Sequence, residues 1–576
     1  MIPFLTKVTI SVLAASAISP TLCHPPSEQP HVTVRNGTLA GRYNSHYDQD
    51  FFLGIPYAKA PEGDLRFQRA LPSDGWEGSR LADEYGSSCY GNSLGLEGFS
   101  QPSTSKMSED CLFVNIMRPS GLGPDRKLPV LVWIHGGAWA EGSASDPRYN
   151  GSFLVQQSKE MGSPIIFASF NYRLGMFGLL PGSLAESEGI TNVLLHDQLQ
   201  ALQYLQDNIA AFGGDPDKVT LMGESAGAGS IGFHLLAYGG RDDGLFHAAI
   251  AQSGGPFSVY ALPDSAKREE DFQKILSLTN CGNSTKPLRC LRDVLPDTLN
   301  AASIQVQPYF TIDGEILPDR NSRLLRTGGF IKVPLLIGVN RNEGTSFLNI
   351  NASGPLETSE DFIQFMKQSA GEHTVHDTVL QEWLETYQNE SSRPSEAGLG
   401  TVLANPGPEY GSQYGAATLW MGDFLLGAGR RYANQMWADQ NVTSYSYFFD
   451  TATANLDPQI KGATHAQEIA FVFGNKDGVG WEPSPYPSTP KIKESFQELA
   501  TVMSRMWISF AVTKSPNHHR HQVSNVEVEW PVYSSANPQN VVFSATGGLS
   551  LQADSWRVNA MELLSETTVD LGRRLV

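Results

Sequence analysis

The sequence predicts an α/β fold: a central, mostly parallel sheet with helices on both faces and long loop insertions. Three observations carry that expectation. Apolar runs at residues 111–117, 128–134 and 164–170 lack polar alternation, as strands covered on both faces do. Residues 194–208 have helical spacing instead, with Leu195, Leu199, Leu202 and Leu205 recurring along one face. A third segment changes character in mid-course, β-rich from Val219 to Met222 and helix-like from Ala226 onward. Strands alternating with helices build doubly covered parallel sheets, and in such sheets the active groups gather beyond the carboxyl ends of the strands.

In chain order, residues 1–23 read as a secretory signal region. A basic residue, Lys7, precedes a short apolar stretch and small residues around Ala17, where or shortly after which cleavage is expected. The stretch is too short to span a bilayer. Residues 24–576 contain no linker, repeat or low-complexity tract, so they are expected to form a single large domain. Residues 31–35 and 50–57 have the patterning of short strands and are expected at an antiparallel edge. No later apolar run approaches transmembrane length, and residues 571–576 carry neither a lipid-anchor tail nor a retention signal, so an extracellular, secreted destination is expected. A formal net charge of −19 argues against nucleic acid and anionic membrane surfaces as partners.

With Cys23 set aside near the processing site, Cys89, Cys111, Cys281 and Cys290 allow three pairings. The two pairs of near neighbours favour Cys89 with Cys111 and Cys281 with Cys290. Sequons at Asn36, Asn150, Asn283, Asn351, Asn389 and Asn441 fit the same oxidising route.

The segment that changes from strand to helix holds Gly223-Glu224-Ser225-Ala226-Gly227, a Gly-x-Ser-x-Gly pentapeptide. In that setting it reads as a nucleophile elbow, a turn sharp enough to lift a serine clear of the sheet. A serine hydroxyl is a weak nucleophile until a base takes its proton, so a histidine, a carboxylate and an oxyanion hole are required elsewhere. The run 128–134 ends in His135-Gly136-Gly137-Ala138-Trp139, whose small residues leave main-chain N–H groups exposed. The run 333–339 ends in Asn340-Arg341-Asn342-Glu343-Gly344, which brings Glu343 to the same sheet edge. His465 follows both, giving the order serine, acid, histidine. His518, His519 and His521 form a cluster beside Ser515-Pro516-Asn517 that reads as an exposed loop, and no metal is expected there.

With these residues assembled, the chain resembles the type-B carboxylesterase/lipase family of α/β hydrolases, which includes carboxylesterases, cholinesterases and fungal lipases. Residues 212–227 match its serine signature and 109–119 its second signature, with further landmarks at 52–58, 65–67 and 171–175. The resemblance implies the α/β-hydrolase fold, Ser225 as nucleophile, Glu343 as acid and His465 as base. It also implies Gly137, Ala138 and Ala226 as oxyanion donors, Glu224, Ser253 and Glu468 as supports, and the two disulfides favoured above. No cofactor or metal is implied, and the partner is a small-molecule ester. Many members have glycine where this chain has Ala138, so a narrower site is expected. Cholinesterases hold a quaternary ammonium with a tryptophan in the first disulfide loop, and residues 90–110 contain none. That loop is short, with Gly91, Gly95 and Gly98, which favours an esterase over an interface-activated lipase. Retention of all three reactive residues argues against a non-catalytic binding protein on the same fold. Trp139 and Trp420 are candidate pocket residues.

Overall fold

The computed structural model describes residues 29–100, 105–257, 263–306, 309–348, 350–371, 375–518 and 527–574, so the expected signal region lies outside it. In chain order the strands are β1 (His31–Val34), β2 (Gly37–Ala40), β3 (Arg42–Asn44), β4 (Gln49–Pro56), β5 (Ser79–Leu81), β6 (Phe113–Pro119) and β7 (Leu128–Ile134). They continue as β8 (Ile166–Phe170), β9 (Gly214–Glu224), β10 (Ala248–Gln252), β11 (Leu335–Asn340), β12 (Ser444–Phe449), β13 (Gln539–Ser544) and β14 (Gly548–Ala553).

Eleven of them form one sheet in the order β14-β13-β12-β11-β10-β9-β7-β8-β6-β4-β3, and β1-β2-β5 form a small second sheet. The seven strands from β13 to β8 run parallel, and antiparallel pairs finish both edges. The lack of alternation in the sequence has its cause in the packing. Val130, Val132 and Ile134 of β7 pack on one face, against the helices Val193–Asn208 and Ala226–Leu236, while Leu131 and Trp133 pack on the other, against the helix Pro490–Thr513. Both faces are apolar because both are covered.

The expected antiparallel edge is only partly as read. β1 leaves the main sheet for the small one, whereas β4 lies inside the main sheet between β3 and β6. The interior place of β4 rests on a polar anchor: Asp50 is buried and accepts from Arg118 of β6 at 3.1 Å.

At the far end, Asp554 joins Arg430 and Arg431 of the helix Ala428–Asp439 to the end of β14, at 2.6 and 2.9 Å, with all three side chains buried. Burial alone would raise the Asp554 carboxyl, but the two guanidinium groups outweigh it and hold it far below the ordinary carboxylate range. The folded-state pKa is the lower one, so this contribution is present at neutral pH and is lost as the pH falls through the ordinary carboxylate range toward the folded value. Asp554→Asn strands two buried cations and is expected to cost about 3–5 kcal/mol, read from denaturant unfolding at pH 7.

Candidate active site

The strand order reverses direction about β7: the chain passes from β7 outward to β8 and then returns across β7 to β9. Ligands on open parallel sheets sit at such a reversal, beyond the carboxyl ends of the strands. Register brings those ends level, with Ile134 opposite Gly223, Glu224 opposite Gln252, and Gln252 opposite Gly338. The loops leaving β7, β9, β10 and β11 therefore meet at one rim.

Ser225 occupies the turn between β9 and its helix at φ 55° and ψ −123°, a conformation costly for a residue with a Cβ. The turn closes only because its flanks are glycine. A Cβ on Gly223 would lie 2.7 Å from the Gly227 carbonyl carbon, and one on Gly227 would lie 2.0 Å from the Ile134 oxygen. Ala138, Trp139, Ser253 and Ala466 also have positive φ, so backbone strain collects around this rim.

The structure brings the three expected reactive residues into one chain of hydrogen bonds. His465 Nε2 lies 2.8 Å from Ser225 Oγ, and His465 Nδ1 lies 2.7 Å from Glu343 Oε2. Glu343 Oε1 accepts from the Ser253 hydroxyl at 2.5 Å and from the Asn340 main-chain N–H at 2.6 Å. With Nδ1–H donated to a carboxylate, the Nε2 lone pair faces the serine hydroxyl. His465 and Glu343 are only 2% and 3% exposed, which keeps water from competing for these bonds.

Two further carboxyl groups sit behind the imidazole. Glu468 accepts from Gln252 Nε2 at 3.1 Å and from Asn340 Nδ2 at 2.7 Å, tying β10 to β11. Glu224 is fully buried, neither of its oxygens has a hydrogen-bond partner among the described residues, and Oε1 lies 3.2 Å from His465 Nε2. Burial pushes the Glu224 carboxyl well above the ordinary range. Burial would lower the imidazole, but the Glu224 and Glu343 carboxylates, with Glu468 behind them, outweigh it and push His465 up to about 9. Glu224 and His465 thus titrate as a pair.

The β7 loop closes over the serine from the other side. A Cβ on Gly136 would stand 3.1 Å from Ser225 Cβ, and Gly137 (φ 105°) and Ala138 (φ 48°) follow in left-handed conformations. Their N–H groups, and that of Ala226 at the start of the helix Ala226–Leu236, make no hydrogen bond among the described residues. Trp139 anchors this loop, its indole N–H donating to Ser230 Oγ at 3.0 Å on the helix that follows Ser225.

Neither tryptophan singled out from the sequence is an open pocket wall. Trp139 is 5% exposed and packs edge-on against Phe310 at 4.9 Å, and Trp420 is fully buried and stacked on Phe424 at 4.7 Å. Large aromatic area wins more free energy in the core than at a wet rim. The rings that do flank the imidazole are Phe347 at 4.9 Å and Phe99 at 6.4 Å, and neither carried any motif in the sequence. The Asn340 N–H and Gln252 were likewise unmarked, although Asn340 opens the run that holds Glu343. Both disulfides form as favoured, Cys89 with Cys111 and Cys281 with Cys290. His519 and His521 lie outside the described residues.

A model of the carboxylesterase family matches residues 28–554. The chain belongs to the carboxylesterase family. Among similar proteins, Lipase 2 of Geotrichum candidum is 33% identical, over 93% of this chain and 94% of its own length. Acetylcholinesterase of Electrophorus electricus is 33% identical, over 85% of this chain and 80% of its own. The crystal structure of Aspergillus niger EstA superposes with a TM-score of 0.79 at 28% identity, covering 94% of this chain and 99% of EstA. This carboxylesterase-family chain therefore has the α/β-hydrolase fold and is a serine carboxylic ester hydrolase.

Proposed function

We propose that the protein is a secreted esterase that cleaves small-molecule carboxylic esters through an acyl-enzyme on Ser225. His465 takes the serine proton as the hydroxyl attacks the ester carbonyl, and Glu343 holds the imidazole in the required tautomer and stabilises its charged form. The oxyanion of the tetrahedral intermediate is bound by the N–H groups of Gly137, Ala138 and Ala226, each donor worth about 3 kcal/mol of barrier. The alcohol leaves with the proton from His465, and water then hydrolyses the acyl-enzyme by the same route. Glu224, Ser253 and Glu468 hold the triad in place and set its protonation. The single observation that carries the reading is the unbroken contact Ser225 Oγ to His465 to Glu343 at 2.8 and 2.7 Å.

The pH dependence has a definite sign. The base form is neutral His465, so kcat/KM rises with pH as the imidazolium deprotonates. Glu224→Gln removes one of the three carboxyl groups that raise the imidazole, and the rising limb is expected to move to lower pH, read from pH profiles of kcat/KM on a nitrophenyl ester.

A lipase is the second reading, favoured by the Geotrichum candidum relatives that carry that name. The short loop closed by Cys89 and Cys111 supports the esterase. A chain-length series of nitrophenyl esters, run below and above solubility, separates the two: the esterase reading expects no rate jump on emulsion formation, and a jump would favour the lipase.

Secretion is supported by the signal layout of residues 1–23 together with the two disulfides. We read residues 24–576 as one domain because a single sheet draws strands from Arg42 to Ala553. Glycans fit best at Asn283, Asn389 and Asn441, which are exposed. Asn36 and Asn150 are half-buried, and the Asn36 amide already donates to the Ser73 carbonyl at 2.9 Å. The side chain of Asn351 is not among those described.

A further inference from the structure

The three N–H groups read as oxyanion donors come from two different elements. Gly137 and Ala138 lie in the loop that leaves β7, and Ala226 opens the helix Ala226–Leu236. An oxyanion is stabilised only where its donors stand at hydrogen-bond distance from one point, so the spacing between loop and helix has to be fixed. The loop does not fix it alone. Ala138 (φ 48°) and Trp139 (φ 56°) are successive left-handed residues, neither is glycine, and such a pair relaxes unless its surroundings hold it.

What holds it is a buried chain of hydrogen bonds that ends on Trp139. The indole N–H donates to Ser230 Oγ at 3.0 Å, and Ser230 stands four residues beyond Ala226, about one turn along the same helix. Gln198 Nε2, from the helix Val193–Asn208, donates to the same oxygen at 3.0 Å, and Gln198 Oε1 lies 2.7 Å from His234 Nε2. Burial, with His196 nearby, pushes the His234 imidazole down to about 3, so the ring is neutral at working pH and gives its Nε2–H to the amide oxygen. All four side chains are buried. On the main-chain side, the Gly175 N–H donates to the Trp139 carbonyl at 2.7 Å. Packing alone asks for none of this. Trp139 meets Phe310 edge-on at 4.9 Å, a contact phenylalanine could also make, and a serine inside a wholly buried helix is accounted for by the donors it receives.

We propose that Trp139 and Ser230 are positioning residues for the reaction: their hydrogen bond sets the distance between the loop donors, Gly137 and Ala138, and the helix donor, Ala226. The proposal rests on the reading of those three N–H groups as the oxyanion hole. Neither side chain touches a reacting atom. The bond acts on the transition state through the donors beside it, so it contributes to kcat and little to binding of the ground-state ester.

The test uses the full-length protein with Trp139→Phe, Ser230→Ala and the double variant. Turnover of p-nitrophenyl acetate is read beside inhibition by phenyl trifluoromethyl ketone. Ser225 Oγ adds to the carbonyl carbon of that ketone, His465 keeps the serine proton, and the carbonyl oxygen becomes an oxyanion in the hole. Each single variant is expected to lower kcat about tenfold to a hundredfold with KM within a few-fold, and to raise the ketone's inhibition constant by a similar factor. The double variant is expected to be no worse than the worse single, because one bond is lost in all three. Either single variant that folds suffices for the comparison of kcat with inhibition. A lower melting midpoint with kcat and ketone inhibition unchanged overturns the proposal, since the bond then serves the fold alone. A fall in kcat without weaker ketone inhibition, or losses that multiply in the double variant, overturns it as well. A wild type that turns over the ester but is not inhibited by the ketone would bring down the oxyanion reading on which the proposal stands, and one inert to the ester would bring down the esterase reading too.

Discussion

Ser225→Ala is expected to lower kcat roughly ten-thousand-fold to a million-fold while leaving the unfolding midpoint nearly unchanged. The side chain is half-buried at the tip of the elbow, and among the described residues the one hydrogen bond its Oγ makes is to His465 at 2.8 Å, so its removal opens no core cavity. The turn is set by glycines 223 and 227 and by the Ser225 N–H donating to Gln252 O at 2.8 Å, and alanine retains all of these. What disappears is the atom that forms the bond to the acyl carbon. Steady-state rates on a nitrophenyl ester, paired with a thermal melt, check both halves of the expectation.

Glu343→Gln is expected to lower kcat about ten-thousand-fold with little loss of substrate binding, because it changes the tautomer of His465 without changing the shape of the site. One carboxylate oxygen accepts from two donors, the Asn340 N–H at 2.6 Å and the Ser253 hydroxyl at 2.5 Å. In glutamine that position must stay an oxygen, so the NH2 group turns toward His465 Nδ1. Nδ1 then has to accept, the ring proton moves to Nε2, and the lone pair that faced the Ser225 hydroxyl is gone. A loss confined to kcat, with KM within a few-fold, separates this cause from a collapse of the pocket.

The parts of this account that were legible in the sequence are those whose cause is local. The elbow is legible because a Cβ at position 223 or 227 collides with main chain a few residues away or in the next strand, a constraint that leaves glycine at fixed spacing. β7 was read at its observed bounds, Leu128–Ile134, because a strand covered on both faces has nothing but apolar residues to show. Other features depend on what folds against what. β9 begins at Gly214, inside a run of turn residues, because Gly214 pairs with Leu128 across the sheet. β4 became an interior strand through the burial of Asp50 against Arg118, two residues far apart in the chain. Phe99 and Phe347 reach the site from loops whose paths no periodicity encodes. The Asn340 contribution is a main-chain N–H, which every non-proline residue carries and which no side-chain pattern can mark.

The central claim is that Ser225 becomes covalently acylated. Treating the active protein with a nitrophenyl alkylphosphonate, which traps an activated serine, and mapping the adduct by peptide mass spectrometry tests it most directly. The account predicts loss of activity with one adduct per chain, on the peptide containing Ser225, and no labelling in His465→Ala. Full inactivation with the adduct on another residue, or ester turnover that persists with Ser225 fully labelled, would contradict it.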